Sequence, residues 1–427
     1  MLSRLRQDAA ASAWARPTGS AAPATPEATR RRIRVGLIGL FGIGNSGNDG
    51  SLEAVIAAIR ARRPDARLVC ICPEPAMVAR QHSLDGRALA NPPPTRPATR
   101  LLDRLTLTVP RRIADLWLAW RGLGGFDVLL FPGTGVLDDM GTGPGGMPMT
   151  IFIWCMAARL RQRRIAFVSV GAGPINHRMS RWLMKMAAAA AVYRSYRDEA
   201  SREFMASIGL RTEKDGVYPD VAFGLPLPSR TPPALHNPPT IAIGVMADYG
   251  WAFDPVLGDP IYRAYLGKLA SLTAQLVDRG CRVRLLPSDT RDGTAVEELV
   301  AGLSLPHRRN PRLAVAPPTY TLRELMGQLA DVSAVVATRF HTVVCALMLA
   351  RPTISLGYAA KNDVLMRDVG LGDYCQHAET FDLGALTQQL DRLLQSRAKV
   401  QDELAAAVAR YRTLLGQQEE ALAAGLL

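Results

Sequence analysis

The sequence predicts an α/β chain of two parallel-sheet domains that face a cleft. Three observations carry this. Short apolar runs bounded by glycine alternate with helical patterns, the signature of strands buried on both faces. The alternation occurs twice, on either side of a segment with prolines at 226, 228, 232, 233, 238 and 239. Finally, 427 residues exceed what one ordinary core organises, so the length itself favours two domains.

The expected boundaries are a basic tail at 1–34, an N-terminal α/β domain at 35–224, a linker at 225–240, a C-terminal α/β domain at 241–382 and a helical segment at 383–427. Residues 1–34 are rich in Ala, Arg, Pro, Ser and Thr and lack an apolar stretch of signal-peptide length, so they read as disordered. The first strand is Ile33–Leu40. Phe41-Gly42-Ile43-Gly44-Asn45-Ser46-Gly47-Asn48-Asp49-Gly50 follows as a glycine loop, and a helix runs over Ser51–Arg62. Glycines let backbone approach a ligand closely, and amides at a helix start attract an anion or a sugar hydroxyl; a tight turn without a ligand fits equally well. The spacing is neither a dinucleotide fingerprint nor a Walker loop.

Leu68–Pro73 reads as the second strand and Glu74–Arg100 as a long surface excursion. A helix over Ile113–Arg121 precedes the strand Phe126–Phe131, which runs into Pro132-Gly133-Thr134-Gly135 and on to Asp138 and Asp139. Those two acids suit a metal or sugar hydroxyls, or simply a solvated loop end. Ile165–Val170 is the fourth strand, ending in Gly171-Ala172-Gly173-Pro174-Ile175-Asn176-His177. After the strand-like Val192–Tyr196, Arg197-Asp198-Glu199-Ala200-Ser201 opens a helix with first-turn chemistry. Arg197 could face the cleft or form a surface salt bridge to Glu199 or Glu203.

The second alternation has strands at Thr240–Val245, Arg282–Pro287, Leu313–Ala316, Ala334–Thr338 and Pro352–Tyr358. Helices intervene at Ile261–Asp278, Thr294–Gly302 and Leu322–Leu329. Arg339-Phe340-His341 interrupts an otherwise apolar stretch at the carboxyl end of a strand, where open parallel sheets hold their ligands. A structural ion pair for Arg339 and a core position for His341 are the competing readings.

The 48% apolar and 21% charged composition is that of a globular protein. No run reaches the roughly 18–20 apolar residues of a membrane span. The six cysteines sit inside apolar runs and read as buried thiols of a cytoplasmic protein; Cys70 and Cys72, on one strand face, also admit a redox role. Seven arginines against Asp8 and Glu27 place five of the formal +13 charges in the tail. Such a surplus suits anionic small substrates, an anionic membrane surface touched by the tail, or nucleic acid. Nucleic acid is disfavoured, because the aromatic residues are not interleaved with the basic clusters.

Taken together, Asn45 to Ala54, the Pro-Gly-Thr-Gly segment with Asp139, Val170 to Pro174, Arg197 to Ser201, Pro219-Asp220-Val221-Ala222-Phe223, Arg339-Phe340-His341 and Tyr358-Ala359-Ala360-Lys361 resemble the polysaccharide pyruvyl transferase family over about residues 36–375. The resemblance implies a two-domain, Rossmann-like and GT-B-like fold. It also implies transfer of a pyruvyl group from phosphoenolpyruvate to a sugar, giving a ketal and phosphate, with no resident cofactor or metal. By match with the family motifs, Arg339 and His341 belong to the donor site, and Arg197 corresponds to the arginine of the Arg-Asp/Glu-x-x-Ser segment. One departure stands out. Where the family has Asn-x-Gly-Asp, Asn48 takes the acid's place and Asp49 follows it.

Elementary chemistry agrees. Two guanidiniums suit the carboxylate and phosphate of the donor, and a histidine has the pKa for protonating its methylene carbon. The expected roles are His341 as general acid, Arg339 and Arg197 as donor clamps, Lys361 as a lesser phosphate or hydroxyl contact, and His177 as a second acid/base candidate. Asn45, Asn48 and Asp49 are the acceptor candidates, for a sugar or lipid-linked saccharide. Two other readings stay open, a nucleotide-sugar glycosyltransferase using the same cleft and a non-catalytic sugar or anion binder in envelope assembly.

Overall fold

A computed structural model describes residues 32–92, 94–106, 108–139, 141–228, 238–247, 255–289 and 292–427. The expected tail and linker therefore lie largely outside the described residues. The chain divides into two compact units. One comprises the residues up to Ile43, Ser51–Val221 and Leu415–Leu427; the other comprises Gly44–Gly50 and Ala222–Leu414. Among the described residues no helix is long and apolar enough to cross a membrane.

The first unit is built on seven parallel strands: β1 (Arg34–Ile38), β2 (Arg67–Cys72), β3 (Asp85–Ala88), β4 (Val128–Pro132), β5 (Arg164–Val170), β6 (Tyr193–Tyr196) and β7 (Gly216–Val217). Their order is β3-β2-β1-β4-β5-β6-β7. The central strands are apolar at almost every position because helices cover both faces. Phe131 and Phe167 stack with centroids 4.3 Å apart, and Trp154 is buried in the same core, its indole N–H donating to the Leu89 carbonyl at 2.8 Å. Side chains of this size each contribute about 1.5–3 kcal/mol on burial.

The last helix, Arg397–Gly425, supplies this unit with a buried polar lock. Gln418 accepts from the Ser169 hydroxyl at 3.0 Å and donates to Ser195 Oγ at 2.8 Å. Ser195 Oγ in turn accepts the Ser169 N–H at 2.8 Å. Ser169 has φ of +49°, a left-handed conformation that costs an ordinary residue about 1–2 kcal/mol, and it interrupts the β5–β6 register. Gln418 and Ser195 hold it there.

The second unit has six parallel strands: β8 (Thr240–Val245), β9 (Arg282–Pro287), β10 (Leu313–Val315), β11 (Ala334–Ala337), β12 (Thr353–Gly357) and β13 (Cys375–His377). The order is β10-β9-β8-β11-β12-β13. Each sheet thus reverses direction once, at β1/β4 and at β8/β11. A crevice opens beyond the strand ends at such a point, because the flanking connections depart to opposite faces.

Three local expectations change. The excursion at 74–100 is structured: a helix over Pro75–His82, started by its own proline, leads into edge strand β3, and a further helix covers Pro97–Leu105. Helix Ser46–Arg62 begins five residues before Ser51, because Asn45 Oδ1 accepts the Gly47 and Asn48 amides, each at 3.1 Å, and so caps the first turn. Arg197 faces Asp198 and Asp220, at 3.5 and 3.6 Å, in place of Glu199 or Glu203, and Glu199 is taken by Arg202.

Candidate functional site

At the end of β11, Thr338 is fully buried, and its hydroxyl shares a hydrogen bond with the Tyr265 phenol at 2.8 Å. The same phenol accepts the Met246 amide N–H at 3.1 Å, beyond the end of β8. Burial pushes the Tyr265 pKa up to about 12, so it stays a neutral, oriented bridge. The chain then turns through Arg339 into the helix Phe340–Met348.

Arg339 does not cap that helix with its side chain. Its Nε and Nη2 donate to the two oxygens of Asp292 at 2.6 and 2.7 Å, a bidentate fork, and Nη1 faces Asp289 at 3.7 Å. Asp292 is fully buried and also accepts the Ala247 amide N–H at 2.8 Å. Burial works against the charge on Arg339, but the Asp292 hydrogen bonds and the attraction of Asp292 and Asp289 outweigh it and raise its pKa. The guanidinium is permanently charged and held in one orientation. Asp289 and Asp292 are the partners of Arg339 that sequence reasoning missed. The available signal was two acids just after the buried run Arg282–Pro287.

His341 sits half-buried in the first turn of the same helix. Its imidazole packs directly on Gly47, where a Cβ would come within 1.9 Å of Nδ1. Glycine is required there by the close approach of the ring, since the backbone lies inside an ordinary helix. Gly50 is covered in the same way by Leu322, and the Ser46 hydroxyl donates to the Ser288 carbonyl at 3.3 Å. Asp49 is buried in this first turn, and its amide donates to the Asn45 carbonyl at 3.1 Å. The Phe340 ring stands edge-on to His341 with centroids 5.2 Å apart. Lys361 Nζ lies 5.3 Å from the Phe340 centroid and 4.9 Å from that of Tyr358, at the start of the helix after β12. Aromatic faces of this kind steady a cation by about 0.5–1 kcal/mol.

The second unit therefore brings together Arg339, His341, Lys361, Asn45, Asn48 and Asp49. Asn45–Asp49 belong to it by contact, although the chain delivers them directly after β1. The other two candidates are in the first unit. Arg197 leaves the end of β6 with its guanidinium lying across Gly171, where a Cβ would meet Nη2 at 2.6 Å. Its neighbour Asp198 caps the next helix through the Ser201 amide at 2.7 Å. His177 is exposed and caps the helix Arg178–Ala189, its Nδ1 accepting the Met179 amide at 3.1 Å. That use of Nδ1 leaves Nε2 to carry the proton of the neutral ring. Among the described residues no group of three or more His, Cys, Asp or Glu side chains could hold a metal ion.

Two parallel-sheet α/β domains are the build of the GT-B fold, and solved structures with that fold resemble the chain. A UDP-GlcNAc 2-epimerase from Methanocaldococcus jannaschii matches with a TM-score of 0.57 at 11% identity, covering 85% of this chain and 93% of its own. A UDP-N-acetylglucosamine 2-epimerase assignment from Listeria monocytogenes gives 0.57 at 12%, with 88% and 91% covered. A lipopolysaccharide outer core galactosyltransferase gives 0.53 at 13%, with 92% and 99% covered. At these identities the likeness shows the fold. No curated protein matches by sequence. The family model for polysaccharide pyruvyl transferase matches residues 45–359, well over half of the chain, from the Asn45 cap to the segment after β12. The chain belongs to the polysaccharide pyruvyl transferase family.

Proposed function

We propose that this chain transfers a pyruvyl group from phosphoenolpyruvate to a sugar of a cell-surface polysaccharide or its precursor, with His341 as general acid. The observation that carries the reading is the seating of the His341 ring on Gly47, one residue beyond an arginine locked by Asp292, in a chain of this family.

In this reading His341 delivers a proton to the methylene carbon of the donor. One sugar hydroxyl adds to the neighbouring carbon and a second displaces phosphate, so that the ketal and inorganic phosphate are the products. General-acid catalysis of this kind is worth about 100- to 10,000-fold. Asp292 takes the Nε proton and one Nη2 proton of Arg339, and Nη1 faces Asp289 in a looser ion pair at 3.7 Å. In this reading the edge that bears the Nη1 protons and the second Nη2 proton meets a donor oxygen beside Asp289. Asp292 acts as a positioning residue, since it fixes the plane in which that edge lies. Lys361, steadied on two rings, supplies a second positive charge, and Arg197 is assigned a donor contact on the strength of its motif. Asn45, Asn48 and Asp49 serve the acceptor from the first turn of their helix. In this reading the chain works in the cytoplasm, in keeping with its free and mostly buried cysteines.

The test is phosphate release from phosphoenolpyruvate by the purified full chain, with lipid-linked and nucleotide-activated sugars as acceptors and product mass as the second readout. His341→Gln is expected to lower turnover by at least about 100-fold without changing the fold. Turnover of a nucleotide sugar without phosphate release from phosphoenolpyruvate would replace the reading with glycosyl transfer, and unchanged turnover of His341→Gln would remove the general-acid role.

A further inference from the structure

The helix Val109–Gly122 is inverted with respect to its hydrophobicity. Val109, Ile113, Leu116, Trp117 and Trp120 recur at spacings of four, three, one and three residues, which confines them to an arc of about 100°. All five are exposed, Trp117 at 59% and Ile113 at 64%. The face turned inward is small and polar instead: Asp115 and Ala119 are buried, and Asp115 accepts from the Asn91 amide and side chain at 2.9 Å each and from Arg112 at 3.0 Å. The buried carboxylate is thus satisfied, and it anchors the helix in this orientation.

The exposed stripe is interleaved with cations. The Arg121 guanidinium lies 4.3 Å from the Trp117 ring centroid, and that of Arg161 lies 4.6 Å from Trp120 while donating to its carbonyl at 2.8 Å. Leu101, Leu105 and Leu160 are exposed as well, at 59%, 72% and 70%. Residues 96–121 carry six arginines against Asp103 and Asp115; Arg112 is paired with the buried Asp115, which leaves five arginines against Asp103.

We propose that this face docks the protein onto an anionic lipid bilayer surface. Tryptophan, with an apolar ring and a polar edge, settles at the headgroup boundary, and arginine stacked on it reaches the lipid phosphates. Each basic side chain near such a surface adds about 1 kcal/mol of attraction at ordinary ionic strength. A protein partner that covered only the apolar stripe would leave those guanidiniums facing apolar surface, whereas the bilayer boundary accommodates both. The inference stands on exposure and charge alone and does not depend on the chemistry proposed above.

The experiment is co-sedimentation of the full chain with vesicles of phosphatidylcholine, with and without 30–40% phosphatidylglycerol (roughly, to give a strongly anionic surface), for the native sequence and for Trp117→Ser/Trp120→Ser. Binding is expected to need the anionic lipid, and the double variant is expected to bind about tenfold or more weakly. The arginine-rich residues 1–31 are identical in both proteins, so the difference reads the helix face alone. Matching circular dichroism and thermal unfolding certify the fold, as both rings are exposed. Equal vesicle binding by the two proteins, or no binding of the native chain, overturns the proposal. So does a concentration-dependent dimer in analytical ultracentrifugation that the double variant abolishes, since the stripe would then belong to a second copy.

Discussion

Gly47→Ala tests the seating of His341 with the smallest available perturbation. The added Cβ would lie 1.9 Å from Nδ1, 2.3 Å from Cε1 and 2.5 Å from Cγ of the ring. Ordinary contact is about 3.5 Å, so ring and helix must separate by roughly 1.5 Å. Alanine gains about 0.5–1 kcal/mol over glycine within a helix, and overpacking costs about 1–3 kcal/mol, so the net destabilisation is at most about 2.5 kcal/mol. Misplacing a reacting group by 1 Å costs about 100-fold in rate. The expected signature is a fall in phosphate release of 100-fold or more beside a modest change in the urea midpoint. Gly267→Ala is the control: nothing lies within 4 Å of a Cβ there, inside the helix Pro255–Asp278, and the change is expected to stabilise by about 0.5–1 kcal/mol with activity intact. If Gly47→Ala behaves like Gly267→Ala, full activity included, the ring contact does not position His341 for chemistry.

Further consequences follow from the same groups. Asp292→Ala strands the Arg339 charge and is expected to destabilise by about 3–5 kcal/mol in urea titrations. Adding Arg339→Met should recover a large part of the loss, and no recovery would show that the pair is not coupled. Tyr265 has a folded pKa of about 12, above the ordinary value near 10, so the folded state retains a proton that the unfolded state releases. Stability should therefore fall as pH rises from about 10 to 12, with Tyr265→Phe flattening part of that slope; an unaltered slope would refute the assignment. Gln418→Ala removes the partner of Ser169 and Ser195 and is expected to lower stability by about 1–3 kcal/mol, with earlier proteolysis after Leu415. Equal protease resistance of the variant would show that the lock is dispensable.

Much of this protein was legible one residue at a time. The central strands have the continuous apolar runs that burial on both faces demands, so β1, β2, β4, β5, β8, β9, β11 and β12 are visible in the order of side chains alone. Arg339 and His341 stand out because charged and titratable groups are costly to bury within such runs. The edge strands β3, β7 and β13 are short and polar or glycine-bearing, and no apolar pattern announces them.

The sequence alone determined the two-sheet α/β class and the doubling of the unit, and it singled out Arg339 and His341 as candidates, because these depend on local pattern and side-chain type. Tertiary structure decided the rest. Asp292 lies 47 positions from Arg339 and reaches it only because β9 and β11 both flank β8 and end on the same side. Gly47 meets His341 across nearly three hundred residues, and an ordinary helical glycine acquires a purpose that its neighbours in the chain do not show. The outward stripe of Trp117 and Trp120 has the spacing of a core-facing helix. Only the placement of Asp115 inside, with its three hydrogen bonds, reveals that the helix turns its apolar side to the surroundings.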